Sequence, residues 1–318
     1  MTRLPLLLVA VLLLAGCATP AGTLPDAAAP KKIVLAIQPT DNAAAIMDKA
    51  TEMEQFLEAR MKEDGVEADV QIIVPMSNVG VIEALNFEHA DAAMMGSWPA
   101  AIAAKRAGAQ VVLAEQREVI LGSEPKVAPY YFSYYVVMKD SPYQTLEDLR
   151  GKRVAYASPT SGSGYVFPLA KLVQDGLVPA AADGKEADAK AFFGEVRFAG
   201  GYAQAWEALR SGQVDVAVTA GDINAKLYNE VLDGTRVVAE QGPVPSHTVV
   251  FARDFVGTPE AEALKNAMMD LKGERKELMR KLVSGIFVEF QPTTTEDHVA
   301  GFASALNATG IKLSEKLG

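Results

Sequence analysis

A run of small and hydroxylated residues between Ser158 and Pro168 is the stretch of this 318-residue chain best suited to bind an anion. Serine and threonine hydroxyls can donate hydrogen bonds to oxyanion oxygens, and glycines allow a ligand to approach the main chain. The chemistry predicted here is therefore non-covalent capture of a small oxyanion. The residues that carry it are Thr160, Ser161, Gly162, Ser163 and Gly164.

The elements on either side would give this run its position. The apolar segment Arg153–Ala157 predicts a strand before it, and Val166–Leu172 has the apolar spacing of a helix. The first turn of a helix has backbone N–H groups without intrahelical partners and a partial positive charge, which together favour an anion. An ordinary capping loop is the alternative, in which Ser161 or Ser163 serves only its own helix.

The N-terminus predicts export. Arg3 precedes an apolar run from Leu4 to Leu14, which is typical of a secretory signal peptide and is too short for a comfortable membrane span. The residues Leu14-Ala15-Gly16-Cys17 resemble the lipobox of bacterial lipoproteins, in which the cysteine is lipidated. We therefore predict a signal peptide over 1–16 and a lipid anchor on Cys17. Cys17 is the only cysteine, so the chain cannot form an internal disulfide.

The segment 17–31 is rich in Ala and Pro and predicts a flexible tether. The formal net charge is −10, and removal of Arg3, the one charged residue in 1–16, would make it −11. An acidic surface argues against nucleic acid and against long-range attraction of anions. An anion must then be captured locally, by backbone and hydroxyl groups, in a soluble monomer held at the membrane.

Alternating strand and helix patterns predict an α/β fold with mostly parallel sheets. The aromatic run Tyr130–Met138 is a candidate strand that crosses from one lobe to another, and Val249–Phe251 is a candidate return strand. The tyrosines of the Tyr130–Met138 run are expected to alternate between the two faces of the strand rather than to form a ligand-binding cluster. The predicted strands are Lys32–Ile37, Val70–Val74, Ala90–Met94, Val111–Ala114, Tyr130–Met138, Arg153–Ala157, Glu195–Ala199, Val214–Thr219 and Val249–Phe251; the predicted helices are Ala43–Met61, Val81–Asn86, Ala100–Ala107, Val166–Leu172, Tyr202–Leu209 and Pro259–Leu282.

A short motif occurs twice. Glu83-Ala84-Leu85 is followed by Asp91 eight residues after the glutamate, and Glu207-Ala208-Leu209 is followed by Asp215 at the same distance. In both places a helical pattern leads into a buried strand. The repetition predicts two lobes of similar construction rather than one extended sheet.

The order of these motifs resembles the phosphate, phosphite and phosphonate substrate-binding proteins of ABC transporters, a branch of the class II periplasmic binding proteins. The resemblance covers residues 32 to 255 approximately, and the C-terminal helices fit it less clearly. The motifs that carry it are Gly80-Val81-Ile82-Glu83-Ala84-Leu85, Asp91-Ala92-Ala93 leading to Gly96, Lys139-Asp140-Ser141-Pro142, Asp148-Leu149-Arg150-Gly151-Lys152, Ser161-Gly162-Ser163-Gly164-Tyr165 with Pro168, and Gly212-Gln213-Val214-Asp215-Val216-Ala217.

The family implies two α/β lobes that are joined by two crossing strands and close over a ligand in the cleft. On this sequence, that predicts a first lobe of residues 32–131 plus 246–318 and a second lobe of residues 132–245. Ligands of such sheets bind beyond the carboxyl ends of the strands, where the loops converge. The family also implies delivery of the ligand to the transmembrane subunits of an ABC permease, without a cofactor.

The resemblance assigns oxyanion contacts to Ser161, Gly162 and Ser163, while other pocket positions depart from the family pattern. Asn78 stands where a tyrosine is frequent, Met95 where an aromatic is frequent, and Tyr202 where a histidine is common. Each has a structural alternative: Met95 as core, Trp98 as packing for its turn, Tyr202 as a helix cap, and Asp222 as a turn residue or helix cap. The remaining expected ligand contacts are Gln38, Thr40, Gly96, Ser97, Trp98, Asp222 (the position that would read an amino group on the ligand) and His247, whereas His89 and His298 are expected at the surface.

The sequence contains few residues that would support an enzymatic reaction. Three scattered histidines and no cysteine beyond Cys17 argue against a metal cluster or a Cys–His pair, and neither a Gly-x-Ser-x-Gly elbow nor a phosphate loop ending in Gly-Lys-Ser/Thr occurs. Together with the lipobox-like N-terminus, the family resemblance implies a lipoprotein receptor for phosphite, phosphate or a phosphonate that serves an ABC permease. Two alternatives stay open: a receptor of the same fold that partners a sensor kinase, and a binder of a small solute other than an oxyanion.

Overall fold

The structure is a computed structural model that describes residues 30–38, 43–121, 124–182 and 184–312, apart from the side chains of residues 43–45. The chain divides into two contact units, Met1–Pro30 and Lys31–Gly318, and the fold described here is that of the second unit. The predicted signal peptide, the lipid-anchor residue Cys17, nearly all of the tether and the predicted contact Thr40 lie outside the described residues.

Strands and helices alternate along most of the chain. The strands are β1 (Lys31–Ile37), β2 (Ala68–Ile73), β3 (Ala92–Met95), β4 (Gln110–Leu121), β5 (Glu124–Ala128), β6 (Tyr130–Met138), β7 (Arg153–Tyr156), β8 (Glu195–Phe198), β9 (Val216–Ala220), β10 (Thr235–Pro245), β11 (Thr248–Phe251) and β12 (Phe287–Pro292). The helices are α1 (Ala43–Glu63), α2 (Asn78–Asn86), α3 (Ser97–Ala107), α4 (Phe167–Gln174), α5 (Tyr202–Arg210), α6 (Ala225–Gly234), α7 (Pro259–Met269), α8 (Lys276–Leu282) and α9 (Thr295–Thr309).

The strands form two sheets. One has seven strands in the order β12-β4-β11-β3-β1-β2 with β5 paired to β4, and the other has five in the order β10-β6-β9-β7-β8. The chain passes from the first sheet to the second between β5 and β6 and returns between β10 and β11. The predicted two-sheet α/β fold is thus confirmed, and the long aromatic run is β6, a strand next to the first crossing.

Both sheets are mixed rather than mostly parallel. The parallel pairs are β1 with β2 and β3, and β7 with β8 and β9. The strands next to the crossings are antiparallel to both of their neighbours: β11 pairs with β3 and β4, and β6 pairs with β9 and β10. The expectation of mostly parallel sheets was wrong because it counted the helix-connected strands and missed β5, β10 and β12.

β4 is three times as long as the predicted strand Val111–Ala114, because the charged residues that follow this segment continue the strand. Glu115, Gln116 and Arg117 are 1%, 4% and 4% exposed. The sequence alone predicts a strand end here, since isolated charges are costly to bury. Burial is possible because Arg117 Nε donates to Glu115 Oε2 over 2.6 Å, so the two charges satisfy each other.

The repeated motif marks equivalent positions in the two sheets. Asp91 precedes β3, and its Oδ2 accepts a hydrogen bond from Val34 N–H of β1 at 2.8 Å. Asp215 precedes β9, and its Oδ2 accepts one from Arg153 N–H of β7 at 2.9 Å. Each aspartate therefore joins a central strand to the strand that it precedes.

The C-terminal part differs from its prediction. The helical pattern from Pro259 to Leu282 divides into α7 and α8 at Leu271-Lys272-Gly273, where Gly273 has a φ of 58° that ordinary residues avoid. α9 was not predicted and packs against elements of both sheets, including β4 and β10. Among the described residues, no helix combines the length and the apolar character that crossing a membrane requires.

Candidate ligand-binding site

A cavity of about 240 Å³ lies between the loops of the two sheets. This volume falls below the roughly 300–1,000 Å³ that is usual for drug-sized ligands, so the cavity suits a small solute. Eleven predicted contacts line it: Gln38, Asn78, Gly96, Ser97, Trp98, Ser161, Gly162, Ser163, Tyr202, Asp222 and His247. Four lining residues were not predicted as contacts: Tyr131, Val244, Pro245 and Phe302.

Four helices begin at the cavity, two from each half of the chain. The first residue of each of these helices lines it: Asn78 of α2, Ser97 of α3, Gly162 of the turn that leads into α4, and Tyr202 of α5. Each start contributes free N–H groups and a partial positive charge. None of the described lining residues is Lys or Arg, so the helix starts supply the positive partial charge that lies directly at the cavity wall.

The Ser158–Pro168 run forms a π-helical turn over Gly162–Val166 that continues into α4. Ser161 Oγ accepts from Gly164 N–H at 2.9 Å, and the Ser161 carbonyl accepts from the N–H groups of Tyr165 and Val166. Ser161 therefore caps the helix, as the structural alternative predicted, and also lines the cavity. The N–H groups of Gly162 and Ser163 precede these bonds, and the first N–H groups of a helix have no intrahelical partner.

The two glycines of this turn have a packing role that the sequence did not indicate. A β-carbon at position 162 would lie 2.8 Å from Cε2 of Phe302, and one at position 164 would lie 2.7 Å from the β-carbon of Ala157. Both distances are shorter than carbon atoms tolerate. Close packing inside the protein therefore requires glycine at both positions, whether or not a ligand approaches the backbone.

Three hydroxyl groups form a chain along one side of the cavity. Ser163 Oγ lies 3.1 Å from the Tyr131 hydroxyl and 2.7 Å from the Tyr202 hydroxyl. Burial, followed by the charge of Asp222, raises the pKa of both tyrosines, so their hydroxyls keep their protons. The three hydroxyls are therefore neutral, and because two of their protons serve the hydrogen bonds within the chain, one O–H is left to donate to an anion.

Asp222 is the one acidic residue among the described lining residues, and it belongs to a buried charge cluster. Arg117 Nη1 lies 3.3 Å from Asp222 Oδ2, and the same guanidinium pairs with Glu115. Burial opposes the charge of Arg117, but the two carboxylates outweigh it and raise the pKa of Arg117. Burial also raises the pKa of Asp222, although Arg117 opposes that shift. With one guanidinium for two carboxylates, the cluster carries a net negative charge when Asp222 is ionised.

Asp222 lies in a turn, as one alternative from the sequence predicted, and does not cap a helix, as the other did. α6 begins at Ala225, and its cap is Asn224, whose Oδ1 accepts from Leu227 N–H at 3.0 Å. The side chain of Asp222 is instead 16% exposed at the cavity wall.

Amide and imidazole groups complete the polar lining. Gln38 Oε1 accepts from Gly96 N–H at 2.6 Å, which fixes the start of α3. Asn78 Oδ1 is buried and has no hydrogen-bond partner among the described residues, so this oxygen can still accept a hydrogen bond. Burial, with a contribution from Arg117, keeps the pKa of His247 well below its usual value, so the imidazole is neutral at physiological pH.

Apolar side chains also line the cavity. The rings of Trp98 and Phe302 lie nearly parallel, at 13°, with centroids 6.5 Å apart, next to the backbone of Gly162, and Val244 and Pro245 line the cavity as well. Trp98 is only 8% exposed, so it packs its turn and lines the cavity at once.

Two predicted contacts within the described residues do not line the cavity. Met95 is 1% exposed in the core at the end of β3, where its carbonyl accepts from Thr248 Oγ1 at 3.2 Å. Thr160 Oγ1 lies 3.0 Å from Ser158 Oγ, within its own turn. The strand end that carries Met95 directs the following residues, Gly96 and Ser97, towards the cavity instead.

One expectation about a single side chain was wrong. His298 is buried, not at the surface, and its Nε2 lies 3.0 Å from the Ser246 carbonyl. Tyr131 lies on a strand face, as expected, but its hydroxyl reaches Ser163 and it lines the cavity, which was not predicted. The even spacing along β6 could not predict what that face meets in the same half of the chain.

Two α/β sheets joined by two crossings, with helix starts from both halves around one cavity, define a two-lobed solute-binding protein of the periplasmic type. Residues 35–298 match the family described as the periplasmic substrate-binding protein of a phosphonate ABC transporter. This chain belongs to that family, whose description implies a location outside the cytoplasm.

A curated relative, the phosphate-import protein PhnD of Mycolicibacterium smegmatis, is 28% identical over 187 residues, which are 58% of this chain and 54% of the relative. The match thus spans about half the length of that relative. The binding component of a Pseudomonas aeruginosa ABC phosphonate transporter has a TM-score of 0.60 at 17% identity, over 87% of this chain and 85% of its own. Prochlorococcus marinus PhnD1 in complex with methylphosphonate has a TM-score of 0.58 at 15% identity, over 87% and 97%. These structural likenesses concern the fold.

Proposed function

We propose that this protein is the receptor of an ABC importer and that it binds a small phosphorus oxyanion, namely phosphite, phosphate or a small phosphonate. The observation that carries the proposal is the convergence of four helix starts and a chain of neutral hydroxyls on one small cavity. Backbone N–H groups and hydroxyls bind oxyanions without a cationic side chain. Local capture of this kind suits a chain whose net charge is −10.

The ligand would act as a clamp between the lobes. In this proposal the first lobe comprises residues 32–131 and 246–318 and supplies Asn78, Ser97 and Trp98, while the second comprises residues 132–245 and supplies Ser161 and Ser163. A ligand stabilises a closed arrangement only by contacts that it makes with both lobes at once. The closed form is then the one that a permease recognises.

Asp222 would determine which protonation state of the anion binds. An ionised carboxylate repels a fully ionised ligand but accepts a hydrogen bond from a P–OH group or from an ammonium substituent. Phosphorus oxyanions can carry such a proton near neutral pH, whereas sulfate cannot. We therefore infer that the cavity binds hydrogen phosphite, hydrogen phosphate or a phosphonate monoanion in preference to sulfate.

The proposal extends to the location. The lipobox-like residues before Cys17 support a lipid anchor, and the family supports a position outside the cytoplasm. The protein would be a monomer that collects its ligand at the membrane surface and passes it to the permease without any chemical reaction. Radiolabelled palmitate incorporation by the full chain, compared with Cys17→Ala, tests the anchor: label on both proteins, or on neither, would contradict it.

A ligand screen by thermal unfolding tests the function. Phosphite, phosphate, methylphosphonate, 2-aminoethylphosphonate, sulfate and acetate are each added at millimolar concentration. A ligand present at 100 times its Kd stabilises the native state by about 2.7 kcal/mol, which raises Tm by several degrees. We expect that rise with at least one phosphorus oxyanion and not with sulfate or acetate. A rise with acetate alone, or no rise with any of them, would contradict the proposal.

A further inference from the structure

Phe302 on α9 closes the apolar side of the cavity, although it lies beyond residues 35–298, which match the family. Its ring is fully buried. It lies nearly parallel to Trp98 of α3, and its edge meets Phe167 of α4 with ring centroids 5.4 Å apart and the planes at 69°. The ring is thus wedged between helices that belong to the two different halves of the chain.

The backbone at Gly162 also limits the position of the Phe302 ring. A β-carbon at Gly162 would lie 2.8 Å from Phe302 Cε2, so the ring already touches the main chain of the anion-binding turn. Because Trp98, Phe167 and Gly162 surround it, the ring has no free space into which it could rotate to admit a larger ligand.

α9 is held at both ends, so the helix cannot withdraw the ring either. At its start, Thr295 Oγ1 accepts from Val111 N–H of β4 at 2.9 Å. At its end, the Thr309 carbonyl accepts from Ala187 N–H at 2.8 Å, in the connection between α4 and β8. Between these points, the His298 imidazole meets the Ser246 carbonyl at the return crossing. The helix is therefore bound to the seven-stranded sheet and to a segment that leads into the five-stranded one.

We propose that Phe302 sets the upper size limit on the apolar substituent of the bound oxyanion, by closing the cavity behind Trp98. This inference rests on the proposed function. The oxyanion head would bind the hydroxyls of Ser161 and Ser163, and the Trp98–Phe302 pair borders the cavity beside the Gly162 backbone of the same turn. A substituent on phosphorus that turns towards this pair meets it. A hydrogen or a methyl group fits against such a rigid wall, and a longer alkyl chain collides with it.

Isothermal titration of the full chain with methylphosphonate and n-propylphosphonate tests the inference. The measured quantity is the ratio of the two Kd values, because this ratio cancels any general loss of affinity. We expect wild type to bind the propyl compound at least tenfold more weakly than the methyl compound. Phe302→Ala should reduce that ratio at least tenfold, and Phe302→Leu, which keeps more of the packing, should reduce it at least threefold.

Phe167→Leu is the matched control. Phe167 touches the far side of the Phe302 ring but borders a different, outer cavity, so its truncation loosens the same aromatic cluster without enlarging the binding site. It should leave the ratio within twofold of wild type. If Phe302→Ala does not fold, Phe302→Leu decides alone.

Three outcomes overturn the inference, and they differ. If wild type binds neither compound, nor phosphate or phosphite, the proposed function fails and the role of Phe302 fails with it. If wild type binds methylphosphonate but both Phe302 variants keep the wild-type ratio within twofold, the function stands and Phe302 does not limit the ligand. A Phe167→Leu ratio that changes as much as that of Phe302→Leu also overturns the assignment, because general loosening then explains the effect.

Discussion

The Ser163 hydroxyl lies 2.7 Å from the Tyr202 hydroxyl, and these two groups come from helix starts that are 39 positions apart in the sequence. Ser163 also meets Tyr131, so one small side chain joins three elements of the same sheet and its helices. This arrangement orients the tyrosine hydroxyls without the help of a ligand. Oriented donors bind an anion more strongly because less freedom is lost on binding.

Ser163→Ala should therefore weaken binding of a phosphorus oxyanion. A hydrogen bond to a charged group contributes about 1.5–3 kcal/mol, which corresponds to a loss of affinity of roughly 10- to 150-fold. Titration calorimetry measures the change, with Thr160→Ala as the control because Thr160 bonds within its own turn. Equal losses in both variants, or no loss in Ser163→Ala, would show that the turn does not bind the oxyanion head.

Asp222→Asn should strengthen the binding of sulfate. Sulfate stays fully ionised between pH 5 and 8, so any pH dependence must come from the protein. Burial raises the pKa of Asp222, and as the pH rises through that value the carboxylate ionises and repels the anion. At pH 8 we expect the variant to bind sulfate about tenfold more tightly than wild type, by removal of roughly 1.4 kcal/mol of repulsion.

The advantage of Asp222→Asn should shrink as the pH falls, since wild-type Asp222 then takes up a proton itself. Sulfate titrations at pH 5, 6, 7 and 8 measure this trend, and Asp140→Asn in an exposed turn serves as the charge-matched control. Sulfate affinity that is equal in wild type and Asp222→Asn at pH 8 would mean that Asp222 does not exclude ionised ligands.

Asp91→Ala and Asp215→Ala should each destabilise the fold. Each aspartate accepts a strand N–H, and its loss leaves that donor unsatisfied at a cost of about 1–3 kcal/mol. Urea unfolding measures the loss, and Asp140→Ala should stay within about 0.5 kcal/mol of wild type. The prediction fails if either repeat variant is as stable as that control.

Asp215 adds a pH signature to this pair. Hydrogen bonds from Arg153 lower its pKa below the ordinary value. A lowered carboxyl pKa gives stability that is present above the ordinary pKa and is lost as the pH falls through the lowered one. The stability difference between wild type and Asp215→Ala should therefore hold from pH 7 to 5 and diminish in stronger acid. A difference that instead grows in acid would contradict the assigned ionised state.

The two buried histidines should make the fold sensitive to mild acid. Burial lowers the pKa of both His247 and His298, so their contribution to stability is present above the ordinary histidine pKa of 6.5 and is lost as the pH falls towards the lowered values. Tm should fall between pH 7 and 5, and it should fall less in His298→Gln, whose amide can still donate to the Ser246 carbonyl. An identical fall in that variant would exclude His298 as a cause.

Local patterns were enough to predict the strands and helices that precede the cavity, because apolar runs and small polar turns alternate clearly up to Thr219. They also singled out the small-residue turn at Ser161–Ser163. The family resemblance, with the two-lobed clamp that it implies, contributed the other predicted lining positions, among them Asn78, Tyr202 and Asp222, which no local rule distinguishes from turn or capping residues. Their ligand roles stay predictions, and so does the boundary between the lobes.

Three features could not be predicted from local patterns. A charged residue such as Arg117 predicts the end of a strand. Its burial is energetically possible only because its carboxylate partners lie close to it, and local patterns do not show that proximity. Tyr131 sits on a predictable strand face, but its partner Ser163 is 32 positions away. Phe302 belongs to a helix whose apolar side meets both halves of the chain, and the reason for glycine at 162 becomes visible only when that ring is in place.

A titration of Gly96→Asp tests most directly whether this cavity is the oxyanion site. A β-carbon at Gly96 would lie in ordinary contact, 3.5 Å from Gln38 Oε1 and 3.6 Å from His247, so a side chain fits there without displacing the backbone. Aspartate is also a good N-cap, which protects the start of α3 while placing a carboxylate in the cavity. Gly96→Ser, a cap of neutral charge, is the control.

We predict that wild type binds methylphosphonate or phosphite with one saturable site, that Gly96→Ser retains at least a tenth of that affinity, and that Gly96→Asp loses at least a hundredfold while its Tm stays within a few degrees of wild type. Unchanged affinity in Gly96→Asp would place the oxyanion elsewhere and contradict the account.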